Sequence, residues 1–290
     1  MEWFRKAVEQ GVFSISGIAL GEFDLEQPPG DPGLYGPESL VWQVHGDFTT
    51  MLCGGISSLL LQMLHPLALA GVWDHSRFRE DMLGRLRRTS QFIAVTTFGN
   101  TADANYLIEK VKRIHSAVTG HDARGAPYAA SDPTLLTWVH VSEVSQFLAA
   151  YLRYRNPDFS ETEQDEYYRQ AARVATALGA TDVPCSVREV KEYLAQIQPE
   201  LRFDERTREV AGILLHASPP RRAAWPVART LMYAGVDLLP PWAQKMGNLT
   251  LSPWQRVSAQ TGVRLTGTLL RWAVRNNAYH RACRRVGKTV

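Results

Sequence analysis

The sequence predicts an all-α, single-domain, multi-helix bundle of roughly ten helices. Three observations carry that prediction. Apolar residues recur at helical spacing in segment after segment of the 290-residue chain. Several segments open on explicit helix-start signals and close on glycine or proline. No stretch sustains the two-residue alternation of a half-buried strand.

Taken in order, residues 1–20 read as one amphipathic helix. Between Gln27 and Gly36, Pro28, Pro29, Gly30, Pro32, Gly33 and Gly36 impose an irregular, exposed connection. Helical patterning resumes near Glu38 and runs past Gly46-Asp47 into an apolar stretch reaching His65, where Pro66 must end or bend it. Within that stretch Gly54, Gly55, Ser57 and Ser58 are small enough to admit a flat cofactor, or simply another helix, against the backbone. From Asp81 to His121 two helical segments are joined by a short break at Gly99-Asn100. Asp132-Pro133 supplies an N-cap with proline at the first helical position. Ser160 with Glu163, Ser186 with Glu189 and Ser252 with Gln255 fit the capping box. Stops stand at Gly99, Gly120, Pro157, Gly179, Pro199, Pro219-Pro220 and Pro240-Pro241. Residues 1–36 form a leading helix and connection, and 37–290 the main domain; no repeat or composition shift marks another boundary.

Composition narrows the function. With 45% apolar and 21% charged residues, the chain is built for a large interior. The net charge of +3 is small, and basic residues cluster only at Arg281, Arg284, Arg285 and Lys288, which excludes a nucleic-acid reading. Cys53, Cys185 and Cys283 are far apart and form no C-x-x-C-H, so neither covalent haem attachment nor a sequence-local zinc site is encoded. Glu2, Arg5, Lys6 and Glu9 interrupt the first hydrophobic positions, so no signal-peptide core is present and a cytoplasmic location is expected. The run Met51–Trp73 contains Gln62, His65 and Pro66 and reads as buried helix rather than membrane span.

Among eight histidines none has H-E-x-x-H spacing, and for any one of them a structural role is the default. His115 is set apart by its flank of Leu107, Ile108, Val111, Ile114 and Val118, an inward stripe on which ring nitrogens need either hydrogen bonds or a metal. Haem iron takes a neutral imidazole readily, and both readings stay open on pattern alone. Arg85, Arg88 and Thr89 share one side of the preceding helix. Thr89 falls on that helix's stripe and Arg85 at its margin, whereas Arg87 reads as solvated. An inward arginine needs an anion, such as a haem propionate or a bound oxygen species. His140, three residues before Glu143, is either a group that positions a proton or a satisfied core histidine. No G-x-S-x-G elbow or G-x-G-x-x-G loop occurs.

Several stretches together resemble the MpaB/latex clearing protein oxygenase family: Gly54-Gly55 through Leu61-Gln62-Met63-Leu64-His65-Pro66, Asp74-His75-Ser76-Arg77-Phe78, Gly84-Arg85-Leu86-Arg87-Arg88-Thr89, Arg113-Ile114-His115 and Trp138-Val139-His140. Tyr167-Tyr168 and Leu238-Leu239-Pro240-Pro241 fit as well, so the likeness covers about Glu38 to Arg285. It implies a globin-like helical core holding a non-covalent haem b. The family's proximal R/K-x-x-H matches Lys112 to His115, making His115 the axial ligand; its distal R-x-x-K-T matches Arg85 to Thr89. Arg88 stands where the latex enzymes have lysine, and a guanidinium does not ligate iron. The carboxylate those enzymes use as a base has no counterpart, since Ala68 to Ala70 is apolar.

The expected function is therefore a haem-dependent oxygenase or peroxidase-like oxidoreductase acting on a small apolar or aromatic substrate with dioxygen or peroxide. Arg85, Arg88, Thr89 and His140 would do its chemistry, and His115, Arg85, Gly54 and Gly55 would hold its cofactor. The alternative is a non-catalytic helical protein carrying haem or lipid, its basic tail suited to loose membrane-surface contact. A non-haem iron enzyme is a weaker third, without the spacing it needs. A homodimer is compatible with the sequence.

Overall fold

The computed structural model describes residues 1–15, 21–217 and 225–289. The described chain is all-α apart from one small hairpin. Helix α1 spans Glu2–Ile15; the rest of the helix predicted for 1–20, and the stop at Pro219-Pro220, lie outside the described residues.

At the centre α3 (Phe48–Gln62) packs along α7 (Pro133–Tyr154). Small residues bring the two backbones together. A Cβ on Gly54 would lie 2.8 Å from the Gln146 carbonyl oxygen and 3.0 Å from Phe147 Cα, and Ser57 Oγ donates to Gln146 Oε1 at 2.8 Å. Gly54 and Gly55 were expected to admit a cofactor. Instead α7 fills the space beside Gly54, so close helix packing explains that glycine, whereas a Cβ on Gly55 would reach only Phe147 at 4.0 Å. Gly54→Val is accordingly expected to destabilise the fold by roughly 1–3 kcal/mol, read as a lower urea midpoint.

The apolar run is not one helix. It breaks at His65, and α4 (Pro66–His75) leaves α3 at 104°. Among the described residues no single helix is long and apolar enough to cross a membrane. Two side chains from the resemblance motifs fasten the bend. His65 Nδ1 accepts from the Leu67 amide, and Trp138 Nε1 donates to the Gln62 carbonyl at the end of α3.

Helices α5 (Met82–Phe98) and α6 (Thr101–Ala117) double back on each other at Gly99-Asn100, as the sequence predicts. The proline- and glycine-rich connection is exposed at Gln27 to Gly30 and at Pro32, as the sequence predicts, and is also tied down as a strap over that turn. Asp31 Oδ1 accepts from the Thr101 amide and hydroxyl, and Asn100 Nδ2 donates to the Gln27 carbonyl. Leu25 and Leu34 are buried beneath it. Arg285, at the end of α14 (Ala278–Arg285), closes the strap from below, donating to the carbonyls of Leu25, Asp31, Phe98 and Gly99. The reason is non-local: carbonyls left over at a helix end and in a loop find a donor 186 to 260 residues away.

After α6 the chain forms a hairpin, β1 (Thr119–His121) with β2 (Pro127–Ala129), absent from the sequence reading. Tyr128 pins it to α4 by donating to Asp74 Oδ2 at 2.8 Å, and its ring lies so close to Gly120 that a Cβ there would meet it at 2.7 Å. Helix α8 (Glu161–Leu178) and helix α13 (Pro253–Ala273) start on the full capping boxes predicted at Ser160 and Ser252. At α9 (Val187–Ile197) only half the box forms: Ser186 accepts from Glu189, but Glu189 turns to the Cys185 amide. The remaining elements are α2 (Leu40–His45), α10 (Glu205–Leu215), α11 (Trp225–Leu238) and α12 (Pro241–Gly247).

Candidate active site

Burial along the α5–α6 pair is lopsided. On α5 it falls on Gln91 and Val95 to Phe98; on α6 it falls on Ala104, Leu107 and Ile108. Both sets adjoin the Gly99-Asn100 turn. Away from the turn Met82 and Arg85 of α5 face residues of α3, α4, α7 and α10, whereas the end of α6 is half-buried or exposed. Arg85 and His115 stand at equal numbers of residues from Asn100 on the two arms. On α7, His140 and Glu143 stand three residues apart, deep in the bundle, each keeping some accessible surface.

Asp81 begins α5 by accepting the Gly84 amide at 2.7 Å, its carboxylate so close that a Cβ on Gly84 would displace it. One residue on, Arg85 turns inward. Its Nη1 donates to Ser76 Oγ at 3.1 Å, and no carboxylate among the described residues lies in ion-pair range of it. Desolvation, helped by Arg88, lowers its pKa from the usual arginine value, but a guanidinium remains protonated. It borders an apolar cavity of about 60 Å³ walled by Leu59, Gln62, Val72, Val139 and Leu214.

The expected orientation of this helix is reversed. Arg85 is the sunk residue, whereas Thr89 is exposed and bonds back to the Arg85 carbonyl at 3.2 Å. Arg88 is exposed too, 3.7 Å from Asp81. The stripe was counted as if the whole helix were packed; only its second half is.

His115 occupies the last turn of α6, half-buried, and neither ring nitrogen has a hydrogen-bond partner among the described residues. Burial alone lowers its pKa, which favours the neutral, metal-ready imidazole. Its neighbour Ile114, assigned to the buried stripe, is 51% exposed. His140 Nε2 is buried without a partner, and desolvation lowers the ring to about 4. No hydrogen bond joins it to Glu143 among the described residues. Desolvation pushes the Glu143 carboxyl up to about 7. The comparison with other buried carboxylates is instructive. Asp47 meets Arg271 and Arg155, and Asp237 meets Arg153 and Arg256, whereas Glu143 has no described ion pair. An unpaired carboxyl held inside a bundle is a mark of function rather than of stability.

His45 carries no motif that marks it in the sequence. Its Nδ1 and Nε2 are each 3.0 Å from a hydroxyl, of Thr97 and Tyr167, and burial lowers it to about 3. Its ring is satisfied and neutral, structural rather than reactive. Among the described residues no three His, Cys, Asp or Glu side chains gather to hold a bare metal ion. The basic C-terminal residues are engaged within the protein: Arg284 with Glu26, Lys288 with Glu38, and Arg285 in the strap.

A family model for the catalytic domain of ER-bound oxygenase mpaB/B'/rubber oxygenase matches residues 42–272. The chain belongs to this oxygenase family. The matched span of the oxygenase domain runs from α2 into α13 and contains every candidate residue from Gly54 to Glu143. No curated protein and no solved structure matches it.

Proposed function

We propose that this oxygenase-family domain is a haem b-dependent oxidoreductase, with His115 as axial ligand, that oxidises a small apolar or aromatic substrate. The supporting observation is the pair of side chains these two helices offer, an unpartnered imidazole at the end of α6 and a buried, carboxylate-free arginine near the start of α5. Those groups suit a porphyrin, which asks for one axial nitrogen and cationic partners for its propionates. When bound, haem supplies the activation of dioxygen or peroxide.

The chain's own groups have separable tasks. His115 is kept neutral by burial and offers a ring nitrogen. Arg85 brings a fixed positive charge, oriented by Ser76 Oγ, to a small, mostly apolar cavity. Arg88, exposed on the same helix, adds a further cation, and the Thr89 hydroxyl, which donates to the Arg85 carbonyl, keeps its lone pairs free to accept. His140, neutral and unpartnered at Nε2, orients what lies against it, and Glu143 holds or releases a proton at its carboxyl near neutral pH.

Turnover separates this reading from a haem or lipid carrier. Haem-loaded protein is expected to consume peroxide, or dioxygen with a reductant, in the presence of small aromatic or prenyl-type substrates, and Arg85→Gln should lower kcat. Haem binding without consumption of either oxidant would favour the carrier.

A further inference from the structure

Three adjoining helices, α1, α11 and α13, carry most of the large apolar side chains that the described residues leave exposed. Helix α11 runs antiparallel along α13: Asp237, near the end of α11, binds Arg256 and Gln260, whereas Thr230 touches Gly262. Arg5 of α1 donates to the Ala273 carbonyl at 3.0 Å, which sets the first turn of α1 beside the last turn of α13. Helix α13 buries Ala259, Val263 and Gly267 and turns larger side chains outward. Trp254, Leu265 and Trp272 are eleven and seven residues apart, three turns and two, so they fall in one line along it. Trp254 is 84% exposed and Leu265 68%. Trp3 and Phe4 on α1, with Trp225 and Val227 on α11, are exposed as well. Every exposed tryptophan among the described residues lies on these three helices.

Their charge is one-sided. Glu2 and Glu9 bind Arg5, and Asp237 binds Arg153 and Arg256, so each carboxylate on the three helices is paired. Lys6, Arg229 and Arg264 are exposed and belong to none of the described ion pairs.

We infer that this face docks on an anionic phospholipid surface, its tryptophans at headgroup depth and its unpaired cations against the phosphates. An indole ring favours the boundary between water and lipid, where its apolar body and its N–H are both accommodated. Cations beside it add attraction to negative headgroups. Charge decides against a second copy of the chain, because a two-fold interface sets one patch against itself, here cation against cation with no unpaired carboxylate between. The surface is distinct from the C-terminal basic cluster, and docking needs neither haem nor turnover.

Co-sedimentation of the whole chain with vesicles tests it, using phosphatidylcholine alone and phosphatidylcholine with one third phosphatidylglycerol. The mixed vesicles are expected to bind at least tenfold more tightly at low salt, with tryptophan emission moving to shorter wavelength. Arg264→Gln should weaken that binding roughly fivefold. Trp254→Ser and Leu265→Ser should each weaken it about tenfold, with unchanged circular dichroism because both side chains are exposed. Tyr106→Ser, at an exposed position on α6, should bind like the native chain. Sedimentation with neither vesicle, equal binding to both, or unaltered binding in Trp254→Ser and Leu265→Ser would overturn the proposal. A chain that ignores vesicles but forms a dimer broken by Leu265→Ser would also overturn it and assign the face to self-association.

Discussion

His115→Ala is expected to abolish stoichiometric haem retention while leaving the fold intact. The ring is half-buried on the last turn of α6 and makes no described hydrogen bond, so its removal leaves no partner stranded. What it removes is the axial bond. Outer-shell partners of metal ligands already change affinity by about 10–100-fold, so loss of the ligand itself should exceed ~100-fold, or about 2.7 kcal/mol. Titration of haem into the variant reads the effect, with circular dichroism as the check on folding. His115→Gly offers a sharper form, because free imidazole should restore binding through the space left behind. A variant that holds haem as tightly as the native chain would show that the ligand is another residue, and His140 would be the first to replace.

The second large effect concerns Glu143 and stability. Its carboxyl has a folded value of about 7 against 4.5 in the unfolded chain, raised by desolvation. The folded protein therefore holds this proton more tightly. Stability attributable to the group is complete below about pH 4.5, declines as pH rises towards 7, and stays reduced above that. At about 1.4 kcal/mol per unit the loss is on the order of 3 kcal/mol, less where water reaches the side chain. Glu143→Gln removes the ionisation and keeps the shape. In urea titrations of haem-free protein, the variant should match the native chain at pH 4.5 and exceed it by roughly 2–3 kcal/mol at pH 8, with activity falling in the same variant. Parallel stability profiles for the two proteins would mean that Glu143 is solvated and ordinary. Retention of an isolated buried acid at that cost is the usual exchange of stability for chemistry.

How far the sequence could be read depended on the range of each interaction. Caps at Asp132, Ser160 and Ser252 are satisfied within three residues, so their identity alone announces them. The break at Gly99-Asn100 and the bend at His65-Pro66 are equally local. The strap over the α5–α6 turn was invisible because its main donor, Arg285, lies at the other end of the chain among residues that read as a solvated basic tail. The orientation of α5 was misread for a related reason. Helical spacing relates Arg85 to Thr89 but does not say which is covered, and that depends on α3, α4, α7 and α10 meeting around Arg85. Gly54 carried two readings that no local pattern separates; only the position of Gln146 and Phe147 decides for packing. Glu143 was noticed as the neighbour of His140, yet its missing counter-ion is a property of the whole interior.

The most direct measurement is the absorption spectrum of the protein purified from cells supplied with haem precursor. One haem b per chain, with a Soret band that diminishes in His115→Ala, is the expected result. A folded, pure protein that shows no Soret band, and that acquires none on titration with haem, would contradict the account.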